Sequence, residues 1–157
     1  MNEKEIEAFI YFMAKKFMKC YNRVFSHGYY IEEENILENG YCFYFAHLLN
    51  QLIPDSQIVL TQHPFAHYFL CYHNQFYDYR GCIPKEKDHL LVDFDYPTAF
   101  SDLIFATDAE SEWGYAETNG TTDKLRDSFY NSVMDELLQV GRTYLEEHHL
   151  LEQGMKL

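Results

Sequence analysis

The sequence predicts a single α+β domain in which a short antiparallel sheet packs against a helix that carries a cysteine. Helical hydrophobic periods near both ends of the chain predict flanking N- and C-terminal helices. The middle of the chain is rich in aromatic and β-branched residues, which favour strands. The chain has 157 residues, of which 47% are hydrophobic, so it can bury one core. We therefore expect one domain over residues 1–157.

Two helices are predicted in the first third of the chain. Asn2 and Glu5 have the spacing of a capping box, and hydrophobic residues then recur at helical spacing over several turns. A second helical period begins after Gly40 and must stop before Pro54, because proline cannot continue a helix. Cys42 therefore falls in the first turn of the second helix.

The next segments predict three strands, at residues 58–60, 67–72 and 76–79. His73 and Asn74 are the turn residues between the last two strands, because asparagine tolerates the positive φ of a tight hairpin turn. This turn pairs Tyr72 with Gln75 and sets which residues share a face of the hairpin.

Weaker signals follow the hairpin. They predict a strand at 90–94 and a short helix at 98–105, which Thr98 would cap. Thr122 is predicted to cap a long amphipathic C-terminal helix, despite the glycine at position 141 within it.

The acidic composition restricts the partners of the protein. Its 12 Lys and Arg residues and 25 Asp and Glu residues give a net charge of −13. Direct binding to nucleic acid or to an anionic membrane is disfavoured, because both need clustered cations. Residues 108–120 are acidic and lack a hydrophobic period, so we expect an exposed loop there. The absence of a signal-peptide pattern and of a long apolar window predicts a cytoplasmic protein whose cysteines are free thiols.

Cys42, His67 and Asp78 form the candidate site. A cysteine in the first turn of a helix is favoured as a thiolate by the helix N–H groups and dipole. In the predicted hairpin, His67 and Asp78 share a face as diagonal neighbours, with Cα atoms about 7 to 8 Å apart. If the cysteine helix packs across this face, the three side chains line up as nucleophile, general base and orienting residue. The sequence thus predicts a Cys-His-Asp triad.

Such a triad would also need donors for the oxyanion that forms during attack on a carbonyl. The backbone N–H of Cys42 and the side chain of Asn39 are the nearest candidates, although Asn39 has an alternative role as the helix cap. Purely structural roles are open for the other residues. Cys42 suits core packing, His67 suits a backbone hydrogen bond, and Asp78 suits an ion pair with Arg80.

Three segments carry a resemblance to a known family: Asn39-Gly40-Tyr41-Cys42, His67-Tyr68-Phe69-Leu70 and Phe76-Tyr77-Asp78-Tyr79-Arg80-Gly81. Residues 39–81 resemble the core of the papain-like cysteine peptidase superfamily, especially its transglutaminase-like and bacterial cell-wall-peptidase branches. They also resemble small bacterial and phage proteins with the same core. The resemblance implies a papain-like core in which Cys42 is the nucleophile, His67 the base and Asp78 the residue that orients the base.

The resulting hypothesis is a thiol hydrolase or transferase that acts on an amide, isopeptide or thioester. The alternative is a catalytically inactive interaction protein of phage or plasmid type. Its acidic C-terminal half would mimic nucleic acid and bind a basic protein surface.

A zinc site is a weaker alternative, built from His63, His67, Cys71 and His73. Pro64 prevents the helix that would bring the first two histidines to one face, and the chain has no CxxC motif. We expect no metal and no other cofactor.

Overall fold

A computed structural model describes residues 1–25, 34–38, 40–62, 66–93, 96–106 and 122–151. Over these residues the chain forms three α-helices and eight β-strands. The strands pair antiparallel in two sheets and helices flank them, which confirms the predicted α+β class. Asn39, His63 and the predicted acidic loop at 108–120 lie outside the described residues.

The helices are α1 (Glu3–Val24), α2 (Cys42–Leu52) and α3 (Lys124–Glu147), with a π-helical segment at Glu34–Glu38 before α2. The strands of the larger sheet are β1 (Gln57–Thr61), β2 (His67–Tyr72), β3 (Gln75–Asp78), β4 (Gly81–Cys82) and β8 (Ile104–Phe105). Those of the smaller sheet are β5 (Lys85–Glu86), β6 (His89–Asp93) and β7 (Tyr96–Ala99). The strand orders are β4-β3-β2-β1-β8 and β5-β6-β7.

The larger sheet separates two groups of buried residues. Alternate side chains of β2 enter different groups, because successive residues of a strand point to opposite faces. Tyr68 and Leu70 join the main core with the helices, whereas Phe69 joins a smaller cluster with Leu90 and Val92 of β6. The helices therefore cover one face of the larger sheet and the smaller sheet covers part of the other.

The predicted helices α1 and α2 are confirmed. The side chain of Asn2 accepts a hydrogen bond from the backbone N–H of Glu5, and the Glu5 side chain accepts one from the N–H of Asn2, which completes the capping box. Helix α2 begins at Cys42 and ends before Pro54, as predicted.

The predicted hairpin is also confirmed. Tyr72 pairs with Gln75. The two turn residues have positive φ values, 49° for His73 and 61° for Asn74. Such values are typical of the two-residue turns whose twist matches that of the strands.

The predicted helix at 98–105 is wrong. Thr98 pairs with Leu90 inside the smaller sheet, a 3₁₀ turn follows at Phe100–Asp102, and Ile104 pairs with Leu60 of β1. Partners that are distant in sequence outweigh the local capping signal here, because strand pairing depends on tertiary context. The sequence also did not indicate that strand 90–94 belongs to a second sheet.

Helix α3 is confirmed, with a corrected start. Its N-cap is Asp123 rather than Thr122, and the Asp123 side chain accepts a hydrogen bond of 2.8 Å from the N–H of Arg126. A Cβ atom added at Gly141 would lie 2.6 Å from a methyl carbon of Leu52. The glycine therefore lets α3 approach α2 closely, which accounts for its place inside a helix.

None of the described helices has both the length and the apolar character needed to cross a bilayer.

Candidate functional site

Cys42 is the first residue of α2 and is buried, with only 4% of its surface exposed. The N-cap residue is Tyr41, whose side chain makes no capping hydrogen bond, and both predicted roles of Asn39 concern a residue outside the described ones. The backbone N–H groups of Phe43 and Tyr68 donate hydrogen bonds toward the sulfur of Cys42. The thiol thus lies between the start of α2 and the start of β2.

The loop before Cys42 is held by α3. Arg126 donates from Nη1 to the carbonyl oxygen of Gly40 at 2.9 Å, and its guanidinium lies 5.9 Å from the ring centre of Tyr41. Gly40 has a φ of 135°, which a residue with a side chain rarely adopts. The sequence offered no signal for Arg126, because 86 residues separate it from Gly40.

His67 and Asp78 contact each other, as the hairpin register predicts. The Nε2 atom of His67 lies 3.3 Å from Oδ2 of Asp78, and both side chains are buried. They share a face with Phe69, as predicted, but α2 does not pack across that face. His67 stacks on Phe69, whereas α2 packs on the face that carries Tyr68 and Leu70. Cys42 therefore reaches His67 at the end of the strand and not across the face of the sheet.

The thiol of Cys42 and the imidazole of His67 share a hydrogen bond. Because Nε2 of His67 contacts Asp78, Nδ1 is the ring nitrogen that remains for the thiol. Burial alone would raise the pKa of Cys42, but the hydrogen bond and charge of His67 and the two backbone N–H groups lower it below its ordinary value. The contact therefore favours the thiolate.

The pKa of His67 moves in the complementary direction. Burial alone would lower it, but the hydrogen bonds with Asp78 and Cys42 and their charges raise it above the ordinary value of 6.5. A raised histidine pKa beside a lowered cysteine pKa favours a thiolate–imidazolium pair at neutral pH.

Asp78 has a second partner in Arg80. The Nη2 and Nε atoms of Arg80 lie 2.6 and 3.1 Å from Oδ2 of Asp78, and its backbone N–H donates to Oδ1 at 2.9 Å. The ion pair considered as an alternative for Asp78 is thus present together with the His67 contact. Burial would raise the pKa of Asp78, but His67 and Arg80 lower it below its ordinary value.

A small, mainly apolar cavity lies beside the thiol, between α2 and the larger sheet. Its lining residues are Leu37, Cys42, Phe45, Ala46, Leu49, Tyr68, Phe69, Tyr77, Asp78 and Tyr79. Leu37 belongs to the π-helical segment, and the neighbouring Glu38 accepts a hydrogen bond of 3.1 Å from the hydroxyl of Tyr79. This contact ties the π-helical segment to the residue after β3.

The other side of α2 carries a polar contact with α3. His47 Nδ1 lies 2.8 Å from the hydroxyl of Tyr130, and the hydroxyl of Tyr44 donates to Asp127 at 2.6 Å. Burial lowers the pKa of His47. His47 is therefore a half-buried histidine on the cysteine helix, and its Nδ1 contacts α3.

The proposed zinc ligands find no support in the described part of the chain. There, no group of three or more His, Cys, Asp or Glu side chains is arranged to hold a metal ion. His73 stacks on Tyr72 with ring centres 3.8 Å apart. All four cysteines are free thiols, as predicted.

Comparison with known proteins gives one informative result. No curated protein and no solved structure matches this chain. A protein-family model described as phage YunG-like protein matches residues 17–106. This range is more than half of the chain, and it spans α2, the hairpin and Arg80 but not α3. The chain therefore belongs to the phage YunG-like protein family.

Proposed function

We propose that the protein is a thiol hydrolase or transferase that acts on an amide, isopeptide or thioester. The observation that carries the proposal is the continuous contact from the Cys42 thiol through His67 to the Asp78 carboxylate. A buried thiol ordinarily has a raised pKa, so a lowered one beside an imidazole is typical of an activated nucleophile.

We also propose that residues 39–81 form a papain-like core. The support is the arrangement of a helix that begins at the cysteine, a following strand that begins at the histidine, and a hairpin partner that ends at the aspartate. A triad of side chains recurs on unrelated folds of thiol and serine hydrolases, so the proposal of a papain-like core depends on this order of elements and not on the triad alone.

In the first proposed step, the thiolate of Cys42 attacks the carbonyl carbon and a carbon–sulfur bond forms. The carbonyl π electrons move to oxygen, where the backbone N–H of Cys42 and the side chain of Asn39 are the proposed donors. The bond to the leaving nitrogen or sulfur then breaks, and His67 gives its proton to that atom. The product of this step is an acyl thioester on Cys42.

In the second step, neutral His67 takes a proton from water or from an acceptor amine, which attacks the acyl thioester. The carbon–sulfur bond breaks, and the thiolate and the imidazolium are regenerated. Asp78 keeps the imidazole oriented, because its Oδ2 accepts from Nε2 and leaves Nδ1 for the sulfur. Water as the acceptor gives a hydrolase, and an amine gives a transferase.

Acyl transfer from p-nitrophenyl acetate tests the proposal, with the modified residue identified by peptide mass spectrometry. We expect a burst of one nitrophenolate per chain and an acetyl group on Cys42. His67→Gln should slow the burst about 10²- to 10⁴-fold, the usual contribution of general acid–base catalysis.

His47→Gln is the control, because His47 is a half-buried histidine of α2 that contacts Tyr130 of α3. This variant should retain the burst. Acetylation spread evenly over the four cysteines, or an equal loss in both histidine variants, would contradict the proposal.

Membership of a phage-related family is compatible with the alternative, an inactive interaction protein of phage type. The described part of the acidic C-terminal half includes exposed carboxylates on α3, among them Asp135 and Glu147. Capture of a basic protein that weakens steeply with salt and survives Cys42→Ala would favour this function. Salt-independent behaviour would exclude it.

A further inference from the structure

We propose that Arg80 is the positioning residue of this site: it fixes the carboxylate of Asp78 and shares its negative charge, so that His67 can both release and regain a proton. The inference rests on the function proposed above and adds a residue to it. The sequence suggested Arg80 only as an alternative to His67 as the partner of Asp78. In the structure Asp78 contacts both His67 and Arg80.

The contact distances show which partner orients the carboxylate. Arg80 approaches both oxygens: its Nε lies 3.2 Å from Oδ1 and 3.1 Å from Oδ2, and its Nη2 lies 2.6 Å from Oδ2. The Nε2 atom of His67 lies 3.3 Å from Oδ2. The planar guanidinium therefore sets the plane of the carboxylate, and the imidazole uses an oxygen that is already held.

Arg80 is itself held on several sides. Its Nη2 also donates to the carbonyl oxygen of Val92 at 2.8 Å, which links the site to β6 of the smaller sheet. The guanidinium lies 5.8 Å from the ring centre of Tyr79. Its backbone carbonyl accepts a hydrogen bond of 3.0 Å from the hydroxyl of Tyr11 on α1. The Arg80 side chain contacts both sheets and is therefore restrained, so it can hold the Asp78 carboxylate in one orientation.

The turn after Arg80 tolerates few substitutions at Gly81. Gly81 has a φ of 103°, and a Cβ atom there would lie 2.5 Å from both Oε2 of Glu7 and the hydroxyl of Tyr11. The same Oε2 atom accepts from the N–H of Cys82 at 2.9 Å. Helix α1 therefore clamps the residues that follow Arg80 and limits the positions that its backbone can take.

The chemical consequence concerns charge. Asp78 is buried, and during the reaction His67 alternates between the cationic and the neutral form. With His67 as its one counter-ion, the carboxylate would lose compensation each time the imidazole became neutral. Arg80 stays charged throughout, so Asp78 remains ionised in both forms and does not bind the imidazolium proton too tightly.

The titratable groups around this network are few within the described residues. Cys42 from α2 and Asp78 from β3 face His67. Asp78, Tyr79 and Glu38 of the π-helical segment act on Arg80. Glu38 is thus a second carboxylate, besides Asp78, that acts on Arg80.

Titration of His67 by NMR of ¹⁵N-labelled histidine tests the inference, with the resonance assigned by its loss in His67→Gln. We expect the neutral form of His67 in the parent protein to carry its proton on Nε2, because that atom donates to Asp78. In Arg80→Gln, the whole charge of Asp78 acts on His67, so its pKa should rise by about 1 unit. The acetylation burst should slow in the same variant.

Arg23→Gln is the matched control, because Arg23 also holds a carboxylate with two nitrogens, but on the surface, at Glu136. It should leave the His67 titration unchanged. Equal His67 pKa values in the parent protein and folded Arg80→Gln would overturn the inference. If Arg80→Gln does not fold, Arg80→Lys keeps the charge without the planar donors and should populate both neutral tautomers of His67. Pure Nε2–H tautomer in that variant would overturn it equally.

The titration does not require a reactive thiol, so the two proposals fail in different ways. An Arg80-dependent shift without acetylation of Cys42 would overturn the proposed function and support the positioning of Asp78 by Arg80. Acetylation of Cys42 without the shift would support the function and overturn the role of Arg80.

Discussion

Cys42 and Cys20 are almost equally buried, with 4% and 5% of their surface exposed, yet their pKa values move in opposite directions. We call Cys42, His67, Asp78 and Arg80 the Cys42 cluster, and Cys20, Arg23 and Glu136 the Cys20 cluster. Each has a thiol, an arginine and a carboxylate. Burial and the hydrogen bond to Glu136 raise the pKa of Cys20 to about 11, whereas the pKa of Cys42 is lowered.

The difference lies in what stands between the sulfur and the carboxylate. In the Cys20 cluster the thiol donates directly to Oε2 of Glu136 at 3.2 Å, so the contact needs the proton on sulfur. In the Cys42 cluster His67 lies between thiol and carboxylate and can hold the proton itself. An interposed imidazole thus turns a carboxylate that would protect a thiol into one that activates it.

The largest difference between the clusters should appear in stability. Asp78→Asn should lower the free energy of unfolding by about 3 to 5 kcal/mol, because it leaves the Arg80 guanidinium and His67 without their buried anion. Glu136→Gln should cost at most about 1 kcal/mol, because 47% of the Glu136 side chain is exposed. Urea unfolding at neutral pH compares the two, and equal losses would show that burial does not separate them.

The pH dependence of this stability follows from the direction of the Asp78 shift. Its pKa is lowered in the folded protein, so its contribution is complete above the unfolded carboxyl pKa of about 3.9. The contribution is lost as the pH falls through the lower folded value. The stability difference between the parent protein and Asp78→Asn should therefore shrink in acid. It should also shrink as the pH rises above about 6.5, because Asp78 helps to raise the pKa of His67 in the folded protein to about 9.

Alkylation should show the next largest effect. At pH 7 iodoacetamide should modify Cys42 about 100-fold faster than Cys20, because the larger thiolate fraction of Cys42 outweighs its lower intrinsic nucleophilicity. Peptide mass spectrometry resolves the two sites in one sample, so both rates are measured under the same conditions. Equal rates, or modification of both only after unfolding, would contradict the comparison.

The smallest effect tests the Cys20 cluster alone. Glu136→Gln removes the anion that accepts the Cys20 proton, so the pKa of Cys20 should fall toward its ordinary value. Burial still opposes ionisation, so we expect its alkylation rate in mild alkali to rise only about 3- to 10-fold. Cys42 in the same sample should react at its parental rate. A slower Cys20 would mean that Arg23, once released from Glu136, blocks the sulfur.

Much of the Cys42 cluster could be predicted because its determinants are local. Pro54 and the hydrophobic period place Cys42 in the first turn of α2. Asn74 fixes a two-residue turn, and the turn fixes the register that brings Asp78 beside His67. The catalytic roles of these residues stay predictions.

The rest depends on contacts that sequence spacing does not reveal. The face on which α2 packs is set by the core around Tyr68 and Leu70, not by the hairpin. Thr98 pairs with Leu90 of β6 in the smaller sheet. The short strands of this sheet show no clear hydrophobic alternation, so the sequence did not predict the pairing. Arg80 contacts the carboxylate of Asp78, and Arg126 contacts the carbonyl oxygen of Gly40. Neither arginine differs in sequence from an ordinary surface arginine, so these contacts could not be predicted.

The bond from Arg126 to the loop before Cys42 has a practical consequence for fragments of this chain. The family match ends at residue 106, before α3, and begins at residue 17, inside α1. A shortened protein with those limits would lose the arginine that braces Gly40 and the helix whose Phe129 and Tyr130 fill the core. We therefore expect the matched region alone to fold less stably than the whole chain, and expression designs should retain α1 and α3.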